Sequence, residues 1–367
     1  MLPWFTEGFH NPSSGYRGGR EVRKAILEAR GKVAELIGAK EEEIVFTGCG
    51  TESNNMVLKS LARVYGRKET RVLTSTIEHS AVLRPVEAME AVGFQVERCG
   101  VDSEGRLDLS EWDEKCVGTG FTSLMWANNE TGVLQPVAEA CVIAQERGFA
   151  FHTDAIQAVG KVPVNVQEVP VDFLSLSGHK FHAPKGIGAM YQREGTRLEP
   201  LIRGGGQENG RRSGTENVPY IVGMGKAAEL MKGPHHEMAV LRDHLETRLL
   251  QEIEGVTLNG HREKRVPSIA HVAFEGCEGA GLQILLDERG VQVSTGSACM
   301  TGKQQPSHVQ KAMGLTDEAA KSAVRISLSV FTTREEVDLA VEKIAAAVRR
   351  LRQVQGGAGM GPVVVFS

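Results

Sequence analysis

Long apolar runs are missing from this 367-residue chain. Hydrophobic residues make up 41% of it, yet no stretch reaches membrane-spanning length, which predicts a soluble protein. Basic blocks are missing too. Forty-two lysines and arginines face 46 acidic residues, net −4, with no basic stripe interleaved with aromatics. That balance argues against nucleic acid as a direct partner. Cysteine is scattered: Cys49, Cys99, Cys116, Cys141, Cys277 and Cys299 include no Cys-x-x-Cys pair. A zinc site or disulfide framework is therefore unsupported, and a reducing, cytoplasmic setting is the default. The opening Met1-Leu2-Pro3-Trp4-Phe5-Thr6-Glu7 carries neither a basic n-region nor an apolar h-region, so no export signal is read there. Gly204 to Gly210 lacks Gly-x-Gly-x-x-Gly spacing, and Gly302-Lys303 is followed by Gln304 rather than completing a P-loop. His179 and His182 have metal-like spacing, but no cysteine or carboxylate cluster joins them, so no metal is expected.

What the chain does have is alternation. Short apolar runs at Glu43 to Phe46, Arg71 to Thr74, Thr122 to Trp126, Gly148 to Thr153 and Val171 to Leu176 alternate with helical patterns at Arg20 to Ile37, Glu52 to Tyr65 and Val137 to Glu146. This predicts an α/β fold with a mostly parallel sheet covered by helices. The length suits about two domains. Gly233-Pro234 is a break signal. The expected division is a large domain over 1–232, a smaller α+β domain over 233–352, and a flexible tail over 353–367.

Polar clusters follow the predicted strands. They are Thr47-Gly48-Cys49-Gly50-Thr51-Glu52, Glu78-His79-Ser80, Asn128-Asn129-Glu130-Thr131, Asp154 with Gln157, and His179-Lys180. In open α/β sheets, ligands sit beyond the carboxyl ends of the strands. Five such clusters predict one binding edge.

Lys180 stands at a strand end, where desolvation disfavours its charge and favours a nucleophilic amine. Asp154 ends the preceding apolar run. Together they fit a pyridoxal phosphate site, the lysine forming a Schiff base and the aspartate holding the pyridinium nitrogen. Taken alone, the pair equally fits a loop lysine and a helix-capping aspartate. Gly48 to Thr51 is either a phosphate cradle at a helix N-terminus, with Thr51 as extra donor, or a glycine turn with Thr51 as cap. His79 is either a ring-stacking group or a structural histidine. Gln157 and Asn129 are candidate hydrogen-bonding groups for a cofactor. Cys299 lies among small residues, Ser294 to Gly302, and is either an accessible nucleophile or a buried thiol.

These segments together resemble the cysteine desulfurases, of the class V aminotransferase group, in the branch linked to iron–sulfur clusters and nitrogen fixation. The matching stretches are Phe9 to Ser14, Phe46 to Asn55, Glu78 to Val82, Ala127 to Gly132, His152 to Gln157, Ser177 to Pro184, Gly204 to Asn217, Ser294 to Cys299 and Val324 to Thr332. The resemblance implies the fold type I of pyridoxal phosphate enzymes, with a seven-stranded sheet. It implies pyridoxal 5'-phosphate as cofactor, L-cysteine as substrate, a homodimer, and a sulfur-acceptor protein serving iron–sulfur assembly or thiolation. By that likeness Lys180 is the Schiff-base lysine and proton carrier, Asp154 the pyridinium partner, His79 the stacking acid/base and Gln157 the phenolate contact. Gly50, Thr51, Ser177 and His179 bind the phosphate, Thr215 reaches the phosphate of the other subunit, Asn129 and Arg325 hold the substrate carboxylate, and Cys299 takes the sulfur as a persulfide. A selenocysteine lyase, another class V enzyme, or a truncated non-catalytic relative are the alternatives.

Three features depart from the family pattern. The family's N-terminal strand has no counterpart ahead of Met1-Leu2-Pro3; a mis-set start codon, a truncation and a degraded copy are the alternatives, and weakened activity or stability is expected if the truncation is real. Cys49 stands in the phosphate-loop position, and Ser329-Val330 replaces a common Gly-Arg.

Overall fold

The computed structural model describes residues 1–66, 70–233, 235–296 and 306–356. They fall into two compact units. One gathers Met1–Val101, Arg106–Asn129 and Leu134–Pro234; the other gathers Asp102–Gly105, Glu130–Val133 and the chain from His235 on. Two short insertions from the first half of the chain thus belong to the second unit. Among the described residues no helix is long and apolar enough to cross a membrane.

The first unit is built on a seven-stranded sheet: β1 (Ile44–Thr47), β2 (Arg71–Ser75), β3 (Gln95–Cys99), β4 (Thr119–Ser123), β5 (Ala150–Asp154), β6 (Phe173–Ser177) and β7 (Gly188–Gln192). The spatial order is β1-β7-β6-β5-β4-β2-β3. β7 runs antiparallel to both neighbours, while the β2–β3, β2–β4, β4–β5 and β5–β6 pairings are parallel. β5 and β6 are buried along their whole length, and the polar side chains among them bond one another, His152 lying 2.8 Å from Ser123 Oγ and 3.0 Å from Ser175 Oγ. The helix Arg17–Leu36 turns Val22, Ile26, Ala29 and Val33 inward, one side of a 3.6-residue period.

Two strands of this sheet were not legible in advance. β7, Gly-Ala-Met-Tyr-Gln, has no β-branched residue; its place between β1 and β6 makes it a strand. β3 is a polar edge strand. Of the run expected over 122–126, the regular strand ends at Ser123; beyond it the Leu124 and Trp126 amides still donate to the His152 and Asp154 carbonyls of β5 at 3.1 and 2.9 Å, while the Met125 amide between them donates to the Glu78 carboxylate at 2.8 Å.

The glycine-rich segment 204–217 is fastened to β1. Glu208 accepts both guanidinium arms of Arg30 at 2.7 Å and the Phe46 amide at 2.9 Å, and Arg30 lies 4.8 Å over the Phe46 ring. These contacts hold Glu208 and Asn209 at positive φ, 50° and 55°, a left-handed backbone strained for non-glycine residues.

The second unit has an antiparallel sheet, β8 (Val256–Leu258), β9 (Ile269–Phe274), β10 (Ser294–Thr295) and β11 (Ala323–Ser327), ordered β10-β11-β9-β8. Ala270, Val272, Phe274, Val324 and Ile326 join a core with Leu245, Leu249, Leu282, Leu286, Val341 and Ile344 of the helices His236–Glu252, Gly279–Asp287 and Arg334–Gly356. The last helix continues past Arg352 to Gly356, so the start of the segment expected as a tail is helical.

Removing one partner of a buried ion pair strands the other charge, so Glu208→Ala should lower the unfolding free energy by about 3–5 kcal/mol. Urea titration of parent and variant measures this; equal midpoints would contradict it.

Candidate active site

The carboxyl ends of β1, β2, β4, β5 and β6 lie on one edge of the first unit's sheet, but they are not five neighbours. β7 intervenes between β1 and β6. The gap is closed by glycine. At Gly188, the first residue of β7, a Cβ would lie 2.7 Å from the Cys49 carbonyl carbon, so only a bare backbone lets the β1 loop fold over β7. Gly50 then packs so tightly that a Cβ would stand 2.2 Å from Ile156 and 3.2 Å from Ser177. The loop after β1 is thereby brought against the loops after β5 and β6.

The helix Gly50–Tyr65 opens at that point. Its N-cap is Cys49, whose sulfur accepts from the Glu52 amide at 3.4 Å; Thr51 is an exposed residue of the first turn and not the cap. Glu52 turns back to the Gly48 amide at 2.8 Å and pairs with Arg212 at 2.7 Å. Ser177, buried at the end of β6, lies 3.0 Å from Nδ1 of the exposed His179, and Lys180 follows in the short helix Gly178–Phe181. Burial, then the charges of Lys180, Lys185 and Lys161, lower the His179 pKa. A neutral His179 is a hydrogen-bonding group, not a cation. Thr215 is exposed and lines a cavity of about 190 Å³ with Thr47, Gly48, Arg212 and Gly214.

Asp154 is the centre of the site. It ends β5, 4% exposed, and its two oxygens accept from Asn54 Nδ2 at 2.7 Å and the Ile156 amide at 3.0 Å. Burial pushes its pKa up, against those two hydrogen bonds and the charges of His79 and Lys180. Both hydrogen-bond donors are neutral. A carboxylate so deeply buried is matched to a cationic partner, and Lys180, which the sequence had singled out, acts on it as one. His79 caps the helix Ser80–Ala91, its Nδ1 accepting from the Ala81 amide at 3.1 Å, so its neutral form carries the proton on Nε2 and leaves the ring exposed. Gln157 is buried, and its carbonyl oxygen accepts from Lys161; its amide hydrogens are thereby turned outward as donors.

Three supporting residues escaped sequence reasoning, Asn54, Lys161 and Ser75, and Glu78, placed in a strand-end cluster, had no role assigned. Asn54 lies one turn into a helix whose buried face includes Gly50, Ser53 and Val57, and a poor helix former on that face was the available signal. Glu78 is fully buried, accepting from Ser75 Oγ at 2.7 Å and from the Met125 amide, and so joins the loops after β2 and β4. Asn128 reinforces this, donating to the Ile77 carbonyl at 3.1 Å.

Not every predicted residue gathers here. Asn129 is half-buried and closes a stretch of the first unit, but Glu130, its neighbour in the same cluster, belongs to the second. Arg325 is on β11 of the second unit, its Nη2 donating to Ser294 Oγ at 3.2 Å. Cys299 lies outside the described residues.

A large unit with a mostly parallel seven-stranded sheet, a smaller antiparallel unit and a strand-end lysine facing a buried aspartate define the class V aminotransferase type, and the chain belongs to that family: the family model "Aminotransferase class-V" matches residues 1–340. The likeness then narrows. The chain is 44% identical over 370 residues to "Cysteine desulfurase NifS" of Azotobacter vinelandii, covering 99% of this chain and 92% of that protein. Among solved structures it matches "NIFS-LIKE PROTEIN" with a TM-score of 0.89 and 37% identity, over 96% of this chain and 94% of that one. It also matches "SspA in complex with cysteine" with a TM-score of 0.80 and 34% identity, over 90% of this chain and 94% of that one.

Burial lifts the Glu78 pKa from its ordinary 4.5 to about 8, opposed by Ser75 and Met125 and helped by Asp154. The unfolded chain releases this proton above pH 4.5, while the folded protein keeps it until about 8. Stability of coenzyme-free protein should therefore fall as pH rises across that window, and less steeply in Glu78→Gln. Denaturant melts at pH 5 and pH 8 test this; identical slopes in both proteins would refute it.

Proposed function

We propose that this chain is a pyridoxal phosphate-dependent cysteine desulfurase. It removes sulfur from L-cysteine, releases L-alanine, and passes the sulfur through a Cys299 persulfide to an acceptor protein for iron–sulfur assembly or thiolation. The observation that carries this is the buried Asp154, clamped by neutral donors and facing Lys180 and His79. Relatives that carry the same activity in their names extend the likeness over nearly the whole chain.

Asp154 would hold the proton of the coenzyme's ring nitrogen, and Asn54 would keep that carboxylate oriented. Lys180 would join the coenzyme's aldehyde carbon and, once displaced by substrate, carry the proton from Cα. His79 would lie over the ring, and Gln157 would donate to the phenolic oxygen, its own carbonyl being taken by Lys161. The amides opening the helix at Gly50, with Thr51, Ser177 and His179, would receive the phosphate, as helix N-termini favour anions. Thr215 would reach the phosphate of a second subunit in a homodimer. Asn129 and the Arg325 guanidinium would hold the substrate carboxylate, which suits a bidentate donor. When bound, the coenzyme supplies an electron sink that makes the Cα proton acidic and the Cβ–S bond breakable. The Cys299 thiolate attacks the substrate sulfur: a new S–S bond forms, the Cβ–S bond breaks, and its electron pair is left on the alanine skeleton, which takes up a proton.

Purified protein should absorb in the violet, and Lys180→Ala should lose this absorbance. Cys299→Ser should keep the colour and lose alanine release from L-cysteine. Alanine release at the parental rate from Cys299→Ser, or a colourless parent after incubation with the coenzyme, would defeat the proposal.

A further inference from the structure

The second unit's sheet has a polar face as well as an apolar one. Ser294 of β10 lies opposite Arg325 of β11, and Arg325 opposite His271 of β9. Asn259, just beyond β8, meets the far side of the His271 ring at 3.1 Å. The residues flanking Arg325 along β11, Val324 and Ile326, enter the core on the opposite face, as the two-residue period of a strand demands. The arginine is thus fixed by register in a row that crosses the sheet.

That row needs a counter-charge. Burial lowers the Arg325 pKa, and Glu130 raises it back. His271 cannot help: it is fully buried, and burial with the Arg325 charge takes its pKa down to about 4, so it is neutral. Glu130, 7% exposed, is the carboxylate brought in by the Glu130–Val133 insertion. Its Oε2 accepts from Ser307 Oγ at 2.6 Å. The same oxygen would lie 2.6 Å from a Cβ at Gly296, two residues beyond the serine that binds Arg325, and Gln310 Nε2 would lie 3.0 Å from it. Ser307 in turn caps the helix His308–Ala312. Burial raises the Glu130 pKa, against Ser307 and the charges of His308 and Arg325.

We propose that Glu130 is a positioning residue for substrate recognition. With Ser294 it sets the orientation of the Arg325 guanidinium, so that the arginine's other donors meet the α-carboxylate of the amino-acid substrate. A guanidinium has five donors in a planar fork but sits on a long stem with much rotamer freedom. One fixed acceptor, Ser294, and one fixed counter-charge, Glu130, held in place by Ser307, restrict that freedom before substrate arrives, which lowers the cost of binding. The inference rests on Arg325 being the carboxylate-binding group.

The test measures kcat and KM for L-cysteine in holoenzyme carrying Glu130→Ala, Glu130→Gln, Arg325→Lys and the Glu130→Ala/Arg325→Lys pair, with coenzyme absorbance and melting temperature as folding controls. Glu130→Ala should raise KM about 10-fold while kcat stays within about twofold. Glu130→Gln keeps the shape and the Ser307 hydrogen bond and should recover part of the loss. The double variant should have a KM no higher than Arg325→Lys alone, because the first residue acts through the second. Glu130→Ala with unchanged KM, or two effects that multiply in the double variant, would overturn the positioning role. Should Glu130→Ala not fold, Glu130→Asp keeps the charge but withdraws it by one methylene; a raised KM supports the proposal and an unchanged one overturns it. An unchanged KM in Arg325→Lys would instead show that the arginine does not bind the carboxylate, a separate failure.

Discussion

Everything at the candidate active site is arranged around the cost of burying the Asp154 carboxylate. A charge removed from water is tolerated only where donors and cations meet it. Asn54 and the Ile156 amide supply the donors, Lys180 supplies the charge, and His79 acts on the carboxylate from the loop after β2. Each comes from a different loop or helix, so the aspartate ties together the segments after β1, β2, β5 and β6. The same arrangement leaves a buried carboxylate facing a lysine, which is the electrostatic pattern a protonated heterocyclic coenzyme would complete.

Close backbone approach is the second constraint. With β7 inserted between β1 and β6, the glycine-rich loop after β1 has to cross a strand to reach Ser177. Gly188 and Gly50 permit that crossing because neither has a Cβ to collide with Cys49, Ile156 or Ser177. Glu208 fastens the 204–217 segment to β1, at the expense of a strained backbone at two residues. Glu78 and Asn128 do comparable fastening between the loops after β2 and β4.

The second unit divides its labour between the two faces of one small sheet. Alternate residues of β9 and β11 build an aliphatic core, and the intervening ones carry Arg325 and His271. An arginine half-buried by strand register feels the charge of a carboxylate from elsewhere in the chain, Glu130, which the four-residue insertion Glu130–Val133 brings in. That insertion explains why Asn129 and Glu130, adjacent in sequence, end in different units.

Much of the fold and of the site was legible in the residue order. Largely apolar runs flanked by helical periodicity marked β1, β2, β5 and β6, because strands buried on both faces are rich in apolar residues. Lys180, Asp154, His79 and Gln157 could be singled out because polar groups directly after such runs have one sheet edge to occupy. Local order could not reveal β7, which has no β-branched residue, nor the cap at Cys49, nor the partners Asn54 and Lys161, nor what Glu78 bonds. Those depend on what lies across the chain: 100 residues separate Asn54 from Asp154. Sequence by itself determined the chemistry available, since side-chain type fixes donors, charges and nucleophiles. Only the tertiary structure decided which of them meet, because the desolvation that tunes Asp154, Glu78 and Arg325 is created by packing between segments distant in the chain.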